Sequence, residues 1–426
     1  MIDIKLILEK PDYVKAALAK KLWDFDPEPI IALSKKRLEL LQKVEANKAE
    51  QNKLSASVPQ LKKEGKDPRP VFEQVKALAA SVKEDAAELE RIEAELKSLI
   101  EVLPNIPDDD LLPGGKENNT PIYHFGEEQK FSFTPRDHVT LCEMCGLIDY
   151  KRAAKISGTG TWIYTNLGAR LEWALLNYFM EAHLADGYEM ILPPHILNYE
   201  SGYTAGQFPK FAEDVFWLEG VEPRKFILPT AETALVNLHR NEVLSYTELP
   251  KKYFAYTPCY RKEAGSYRTE ERGMIRGYQF NKVEMVQYTT EEGSDAAFDE
   301  MYHKAQKLLE GLSLTYQVDK LAAGDCSHSM ARTYDIEVYI PSMGIYKEVS
   351  SVSNARDYQA RRGMIRYKDE NGKTKFAHTL NGSGLATSRV FPALVEQNQL
   401  EDGSIVIPEA LRKWMGGLEV IHPVKK

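Results

Sequence analysis

The chain has 426 residues, 43% hydrophobic and 28% charged, which is enough material for two or three domains with a large core and excludes a disordered protein. A formal net charge of -8 excludes a global attraction to nucleic acid, so any such binding must come from a local basic patch. Four scattered cysteines exclude a disulfide framework, there is no run of eighteen apolar residues to cross a membrane, and the start lacks a signal-peptide pattern; a cytoplasmic protein is expected.

Residues 1–25 read as a short helical segment, with Val14, Ala17 and Leu18 on one face and Asp12 as a cap. From Ile30 to Val58 the chain is rich in Lys, Glu, Leu, Ala and Gln, and Leu38, Leu41 and Val44 mark a helical stripe that Lys48 and Asn52 interrupt. Residues 59–70 carry three prolines and a glycine, so the helix should stop there and turn. From Val71 to Ile100 a heptad seam runs through Val75, Leu78, Val82, Leu89, Ile92, Leu96 and Leu99, with Ala86 in the gap. The pair predicts an antiparallel coiled-coil arm over about 28–100, roughly 45 Å long at the α-helical rise. Its first helix and turn carry Lys35, Lys36, Arg37, Lys43, Lys48, Lys53, Lys62, Lys63, Lys66 and Arg69. These bases are read as a phosphate-contacting surface, against the alternative of a solvated face.

Residues 101–120 are rich in Pro, Gly, Asp and Asn and mark the domain boundary, dividing the chain into 1–104 and 105–426. Cys142 and Cys145 form a lone CxxC, for which a zinc or redox role is a weak reading. Leu167–Leu184 is a strong helix ended by Gly187; Tyr188–Leu192 is a strand stopped by Pro193 and Pro194. Phe226–Glu232 reads as a strand running into a loop. Pro258–Gln287 reads as a hairpin with a basic loop holding Arg268, Arg272 and Arg276. Arg261 and Glu263 would share one strand face, as would Phe280, Lys282 and Glu284. Further on come a helix (295–312), strands at 333–339, 345–352 and 376–380, a tight turn at Gly382-Ser383-Gly384, and a helix to Gln397. Several strands are joined by turns too short for a parallel crossover. The expected fold is therefore α+β, with a mostly antiparallel sheet flanked by helices after the helical arm. No P-loop and no dinucleotide-binding glycine pattern is present.

Three segments together resemble the signature motifs of class II aminoacyl-tRNA synthetases. The helix, strand and Pro193 resemble motif 1; Arg261-x-Glu263 with Arg276 through Phe280 to Glu284 resembles motif 2; Gly382-Ser-Gly384-Leu-Ala386-x-x-Arg389 resembles motif 3. The opening MIDIKLILEKPDYV, the long arm, Thr230-Ala231-Glu232, RKEAGS, FNKVE, Glu348-Val-Ser-Ser351 and TLNGSGLA resemble the seryl-tRNA synthetase family of bacterial type, over essentially the whole chain. The resemblance implies a homodimer through the motif 1 helix and strand. It implies a two-step reaction in which ATP and L-serine give seryl-adenylate and the seryl group passes to tRNA(Ser) and also tRNA(Sec). Arg261 would bridge the serine carboxylate and the α-phosphate, Arg276 the outer phosphates, and Lys262, Val349 and Ser350 would complete the ATP site. Adenine would meet Glu263 by its amino group and lie between Phe280 and Arg389. Glu348 and Ser351 would hold Mg²⁺. Thr230, Ala231 and Glu232 would take the serine ammonium, with Glu284, Asn381 and Ser383 around its hydroxyl. The catalytic set is thus Arg261, Glu348 and Arg389. The motif 2 loop SYRTEERGMIRGYQF departs from the commoner bacterial form, with Tyr278 in place of a histidine, as in a sub-lineage or second-copy enzyme. The alternatives are a paralogue serving a biosynthetic pathway and a catalytically inactive RNA-binding regulator.

Overall fold

The computed structural model describes residues 1–263 and 273–424; Arg268 and Arg272 lie outside the described residues. The chain separates into two compact units, Ile2–Ala19 with Asp24–Leu103, and Pro104–Lys426 with Met1 and Lys20–Trp23.

The smaller unit is four helices: α1 (Ile4–Glu9), α2 (Pro11–Lys20), α3 (Glu28–Lys63) and α4 (Arg69–Glu101). Asp3 caps α1 by accepting from the Lys5 amide, and Ile7, Val14, Ala17 and Leu18 are buried. Helices α3 and α4 pack along their length as the predicted hairpin. The turn is shorter than expected, because Pro59 sits inside α3. It lies one turn from the helix end on an exposed surface, where water can satisfy the carbonyl it leaves unpaired. Pro70 instead falls in the first turn of α4, where a missing N–H costs nothing.

The seam lies one residue away from part of the predicted stripe. Leu38 is 53% exposed, and Ala86 is exposed while Asp85 beside it is 8% exposed. Asn47 and Gln51 approach the seam, and Lys48 and Asn52 face solvent. Hydrophobicity selects Ala86, but heptad spacing from Val82 and Leu89 demands the position of Asp85. Its charge is met by Lys43 at 2.9 Å and Ser81 at 3.1 Å, and Asn47 reaches Ser81 at 3.3 Å. Pairing across the hairpin also consumes part of the basic cluster: Lys36 meets Glu88 at 2.6 Å and Arg37 meets Glu93 at 2.7 Å. Lys35, Lys48, Lys62 and Lys63 have no acidic partner among the described residues, so the remaining positive surface lies along α3 and at the tip. Asp85→Leu is expected to stabilise the hairpin, because an apolar residue at this seam position adds buried apolar area where heptad spacing calls for it. The check is slower amide hydrogen exchange in α3 and α4.

The larger unit is built on an eight-stranded sheet. Its strands are β1 (Thr120–Phe125), β2 (Glu189–Met190), β3 (Lys251–Tyr260), β4 (Gln279–Thr289), β5 (Tyr316–Lys320), β6 (Arg332–Ile340), β7 (Ile345–Asn354) and β8 (His378–Ala386). Their order is β1-β5-β6-β7-β8-β4-β3-β2, and every pairing is antiparallel except β2 with β3. Helices α5 (Asn166–Ala185), α6 (Ser294–Gly311) and α8 (Thr387–Gln397) pack with this sheet around one large apolar cluster, and the short α7 (Tyr358–Gly363) contacts β8. Lys21 belongs to this unit, donating to the carbonyls of Ser327 at 2.9 Å and Met330 at 2.7 Å.

One expected turn is absent. Gly382-Ser383-Gly384 lies within β8, Gly382 pairing with β7 and β4 and Ser383 with β4, before a bulge between Ser383 and Ala386. The glycines serve close packing instead: a Cβ at Gly382 would lie 2.9 Å from Val352, and one at Gly384 would lie 2.3 Å from the His183 ring. Cys142 and Cys145 are buried free thiols, and burial pushes both up, Cys145 to about 11. Neither is suited to thiolate chemistry.

Candidate active site

Two cavities share Arg261, Glu263 and Arg276 in their walls, and the first of them opens over β4, β7 and β8. On one side are Phe280, Lys282, Glu348, Val349, Ser383 and Arg389. On the other, about 500 Å³ in volume, are Thr230, Glu232, Gln207 and Phe211. Most of the residues singled out from sequence therefore converge.

The hairpin supplies the shared wall. β3 pairs with β4 as far as Tyr260 with Gln279, and then the chain leaves the sheet. Arg261 and Glu263 therefore do not share a strand face, since Glu263 turns into the left-handed region at φ 49°. Arg261 donates to the Pro229 carbonyl at 3.3 Å, with its guanidinium 5.2 Å from the Phe280 ring centroid. Glu263 is ion-paired with Arg276, so the two groups assigned separately to adenine and to the outer phosphates hold each other here. Lys262 is fixed by its amide, which donates to the Asp214 carbonyl at 3.2 Å, and Lys262 lines neither cavity.

Phe280, Lys282 and Glu284 alternate along β4 onto one face, as expected. Lys282 was not assigned a role from sequence, yet it joins the two halves. Its ammonium pairs with Glu284 at 2.6 Å and donates to Thr230 Oγ1 at 2.7 Å. Asn381 and Ser383 on β8 also donate to Glu284, at 3.1 and 3.3 Å. This carboxylate is 1% exposed and has three partners, Lys282, Asn381 and Ser383. Glu232 accepts from Gln359 of α7 at 2.8 Å. Burial, then the nearby Glu284 charge, pushes its carboxyl up to about 7. Ala231 is fully buried behind the site among Leu235, Tyr253 and Val286.

A bulge at Val349 decides the geometry of β7. Glu348 faces Glu337 and Ser350 faces Ile336, so Val349 is the extra residue. Residues three apart on a regular strand point to opposite faces, but the bulge puts Glu348 and Ser351 on the same one. Asp335, opposite Ser351, was missed from sequence because only this register brings it in; one of its oxygens is buried without a partner. Burial, then Glu348, holds the Asp335 carboxyl well above the usual range. Burial also pushes Glu348 up, but Arg389, Arg261 and Lys282 outweigh it and leave the group below its ordinary value. Arg389 donates to the Glu348 carbonyl at 2.7 Å and lies 3.3 Å from its carboxylate. Ser350 turns away, donating to the Ser383 carbonyl at 2.5 Å.

An antiparallel sheet carrying an arginine at the hairpin root and a second arginine on the helix after its central strand is the catalytic platform of class II aminoacyl-tRNA synthetases. Residues 216–398 match the family model of the tRNA synthetase class II core domain for G, H, P, S and T, and residues 1–107 match the seryl-tRNA synthetase N-terminal domain. The chain is 58% identical over 422 residues to serine–tRNA ligase 2 of Clostridium acetobutylicum, covering 98% of this chain and 99% of that one. It is 43% identical over 422 residues to serine–tRNA ligase of Nitratidesulfovibrio vulgaris, at the same coverage. The seryl-tRNA synthetase of Pyrococcus horikoshii, solved in complex with ATP, aligns at a TM-score of 0.93 and 30% identity over 100% of both chains. The chain belongs to the seryl-tRNA synthetase family.

Proposed function

We propose that this protein activates L-serine with ATP to give seryl-adenylate and pyrophosphate, and then transfers the seryl group to the 3′-terminal adenosine of tRNA(Ser) and also of tRNA(Sec). The observation that carries this reading is Arg261, which borders both the cavity of Thr230 and Glu232 and the cavity of Phe280, Glu348 and Arg389. A reaction between a carboxylate and a polyanion needs its charge cancelled at the point where the two meet. A guanidinium there bonds one oxygen of each reactant.

Serine enters beside Thr230 and Glu232, which accept from its ammonium, and its hydroxyl reaches Glu284 and Ser383, with Asn381 holding Glu284. A site built to bond that hydroxyl rejects alanine, because its own buried groups would be left unpaired. Adenine lies between Phe280 and Arg389, with Glu263 at its amino group. Arg276 turns from Glu263 toward the outer phosphates, and Val349 frames the nucleotide, whereas Lys262 and Ser350 border neither cavity. The serine carboxylate oxygen then attacks the α-phosphorus in line, and pyrophosphate leaves. Mg²⁺ fits Glu348 and Ser351, which the bulge sets on one face; bound there it would neutralise phosphate charge, with phosphate and water oxygens filling its shell. Charging of bulk tRNA with labelled serine tests the reading, and so does pyrophosphate exchange with serine, threonine and alanine. Loss of serine-dependent exchange would overturn it.

Glu232 makes serine binding depend on pH. Its carboxyl, at about 7, must lose a proton before it can accept the ammonium. Serine affinity therefore rises with pH up to the folded value and levels above it. The KM for serine is expected to fall roughly tenfold per unit below pH 7, and Glu232→Gln should bind weakly with a flat profile.

The second copy of a homodimer fits α5 and the segment after it, where Trp173, Leu184, Met190, Leu192 and Ile196 are exposed, Leu192 by 75%. Equilibrium sedimentation checks this. No helix among the described residues is long and apolar enough to cross a membrane, and all four cysteines are free thiols, in keeping with a cytoplasmic enzyme.

A further inference from the structure

Glu172 has no part in the chemistry above, yet it sits where three parts of the site meet. It lies on α5 and is 3% exposed. One carboxylate oxygen accepts from Asn281 Nδ2 at 2.8 Å and from Thr387 Oγ1 at 2.5 Å. Asn281 follows Phe280 on β4, and Thr387 lies two residues before Arg389 in the first turn of α8. The Thr387 hydroxyl is also 3.2 Å from the Asn281 carbonyl, and the Tyr256 hydroxyl donates to Asn281 Oδ1 at 3.3 Å. The Tyr256 ring in turn packs against Trp173, with centroids 5.6 Å apart.

We propose that Glu172 is a positioning residue for the nucleotide half of the site. It sets the separation of Phe280 and Arg389 by tying the strand of one to the helix of the other. This rests on the reading of those two side chains as the faces that hold adenine. The second Glu172 oxygen is buried without a hydrogen-bond partner, as is the Tyr164 hydroxyl. Burial pushes the carboxyl up to about 7. An acid kept in an apolar core with one oxygen unsatisfied is a stability liability, and an apolar replacement of similar volume would serve packing as well or better. What an apolar residue cannot do is accept two hydrogen bonds from different elements at one oxygen. Adenine stacking depends on the spacing between two faces, so loosening the tie should weaken ATP and leave serine alone.

The test uses the full-length enzyme. Calorimetric ATP binding without serine reads the effect directly, and serine-dependent pyrophosphate exchange supplies both KM values. Glu172→Ala is expected to weaken ATP about tenfold, the scale of two lost charge-assisted bonds partly offset by relaxation, with the KM for serine within about twofold. Glu172→Gln, whose amide oxygen still accepts both bonds, should recover most of the loss. Thr387→Val keeps the volume, should weaken ATP about threefold, and should add little in the Glu172→Ala background. Unchanged ATP binding in a folded Glu172→Ala would overturn the proposal, as would an equal rise in both KM values. If Glu172→Ala does not fold, Thr387→Val decides: wild-type ATP binding overturns the proposal and weakened ATP with serine unmoved supports it. Absence of serine-dependent exchange in the unaltered enzyme would instead remove the functional reading, which the calorimetric arm keeps separate from the role of Glu172.

Discussion

Arg261→Lys is expected to lower serine-dependent pyrophosphate exchange by about a thousandfold, although the charge is kept. The reason lies in shape. The Arg261 guanidinium is already oriented by the Pro229 carbonyl and lies over Phe280, so its fork is presented to both cavities before either reactant arrives. Lysine offers one compact ammonium, which can neutralise one reactant but cannot bond an oxygen of each. Lys282 already supplies a point charge nearby, paired with Glu284, so a second ammonium adds little. The loss should fall mainly on kcat, because the interaction lost is one made as charge shifts at the α-phosphorus. Steady-state exchange at varied serine and ATP checks this. A variant within about tenfold of the unaltered enzyme would remove Arg261 from the reacting centre.

Shortening the arm should separate the two steps. A variant in which Asn47–Ser81 is replaced by a short turn is expected to keep pyrophosphate exchange within about twofold and to lose charging of tRNA(Ser) by about a hundredfold or more. The α3 bases without acidic partners among the described residues include Lys48, Lys62 and Lys63, and all three fall within the removed segment. Cutting the chain near Asn105 would be a worse experiment. Lys20–Trp23 packs with the larger unit, and its loss would strip Lys21 from the carbonyls of Ser327 and Met330. Equal charging by the shortened and full-length proteins would leave the arm without a role in tRNA binding.

The sequence made the architecture legible where structure is local. The heptad period of α4, the alternation along β4 and the long amphipathic α5 depend only on neighbours. Sequence and structure differ where partners far apart in the chain decide. Gly382-Ser383-Gly384 has the composition of a turn, but Val352 crowds Gly382 and His183 crowds Gly384, and both demand glycine within a strand. The bulge at Val349 is invisible without the facing strand, and with it the placement of Ser351 and Asp335. In sequence Lys282 is one charge on a strand face; its place between Thr230 and Glu284 follows from a fold that brings residues 230 and 284 together. Glu172 gave no signal at all, since a glutamate in an amphipathic helix usually faces solvent.

The polar middle of the arm has a consequence for measurement. Two uniform apolar helices can slide past each other by a heptad at small cost, and each such slip would displace one helix along the other by about 10 Å. Asp85, held by Lys43 and Ser81, with Asn47 beside them, has its full set of partners at one alignment only. A slip would bury the acid against an apolar neighbour. The cluster therefore acts as a vernier mark, fixing to within a helical turn how far along the hairpin Lys62 and Lys63 stand from its base. For the proposed role of the arm in holding tRNA, that distance would have to be a constant.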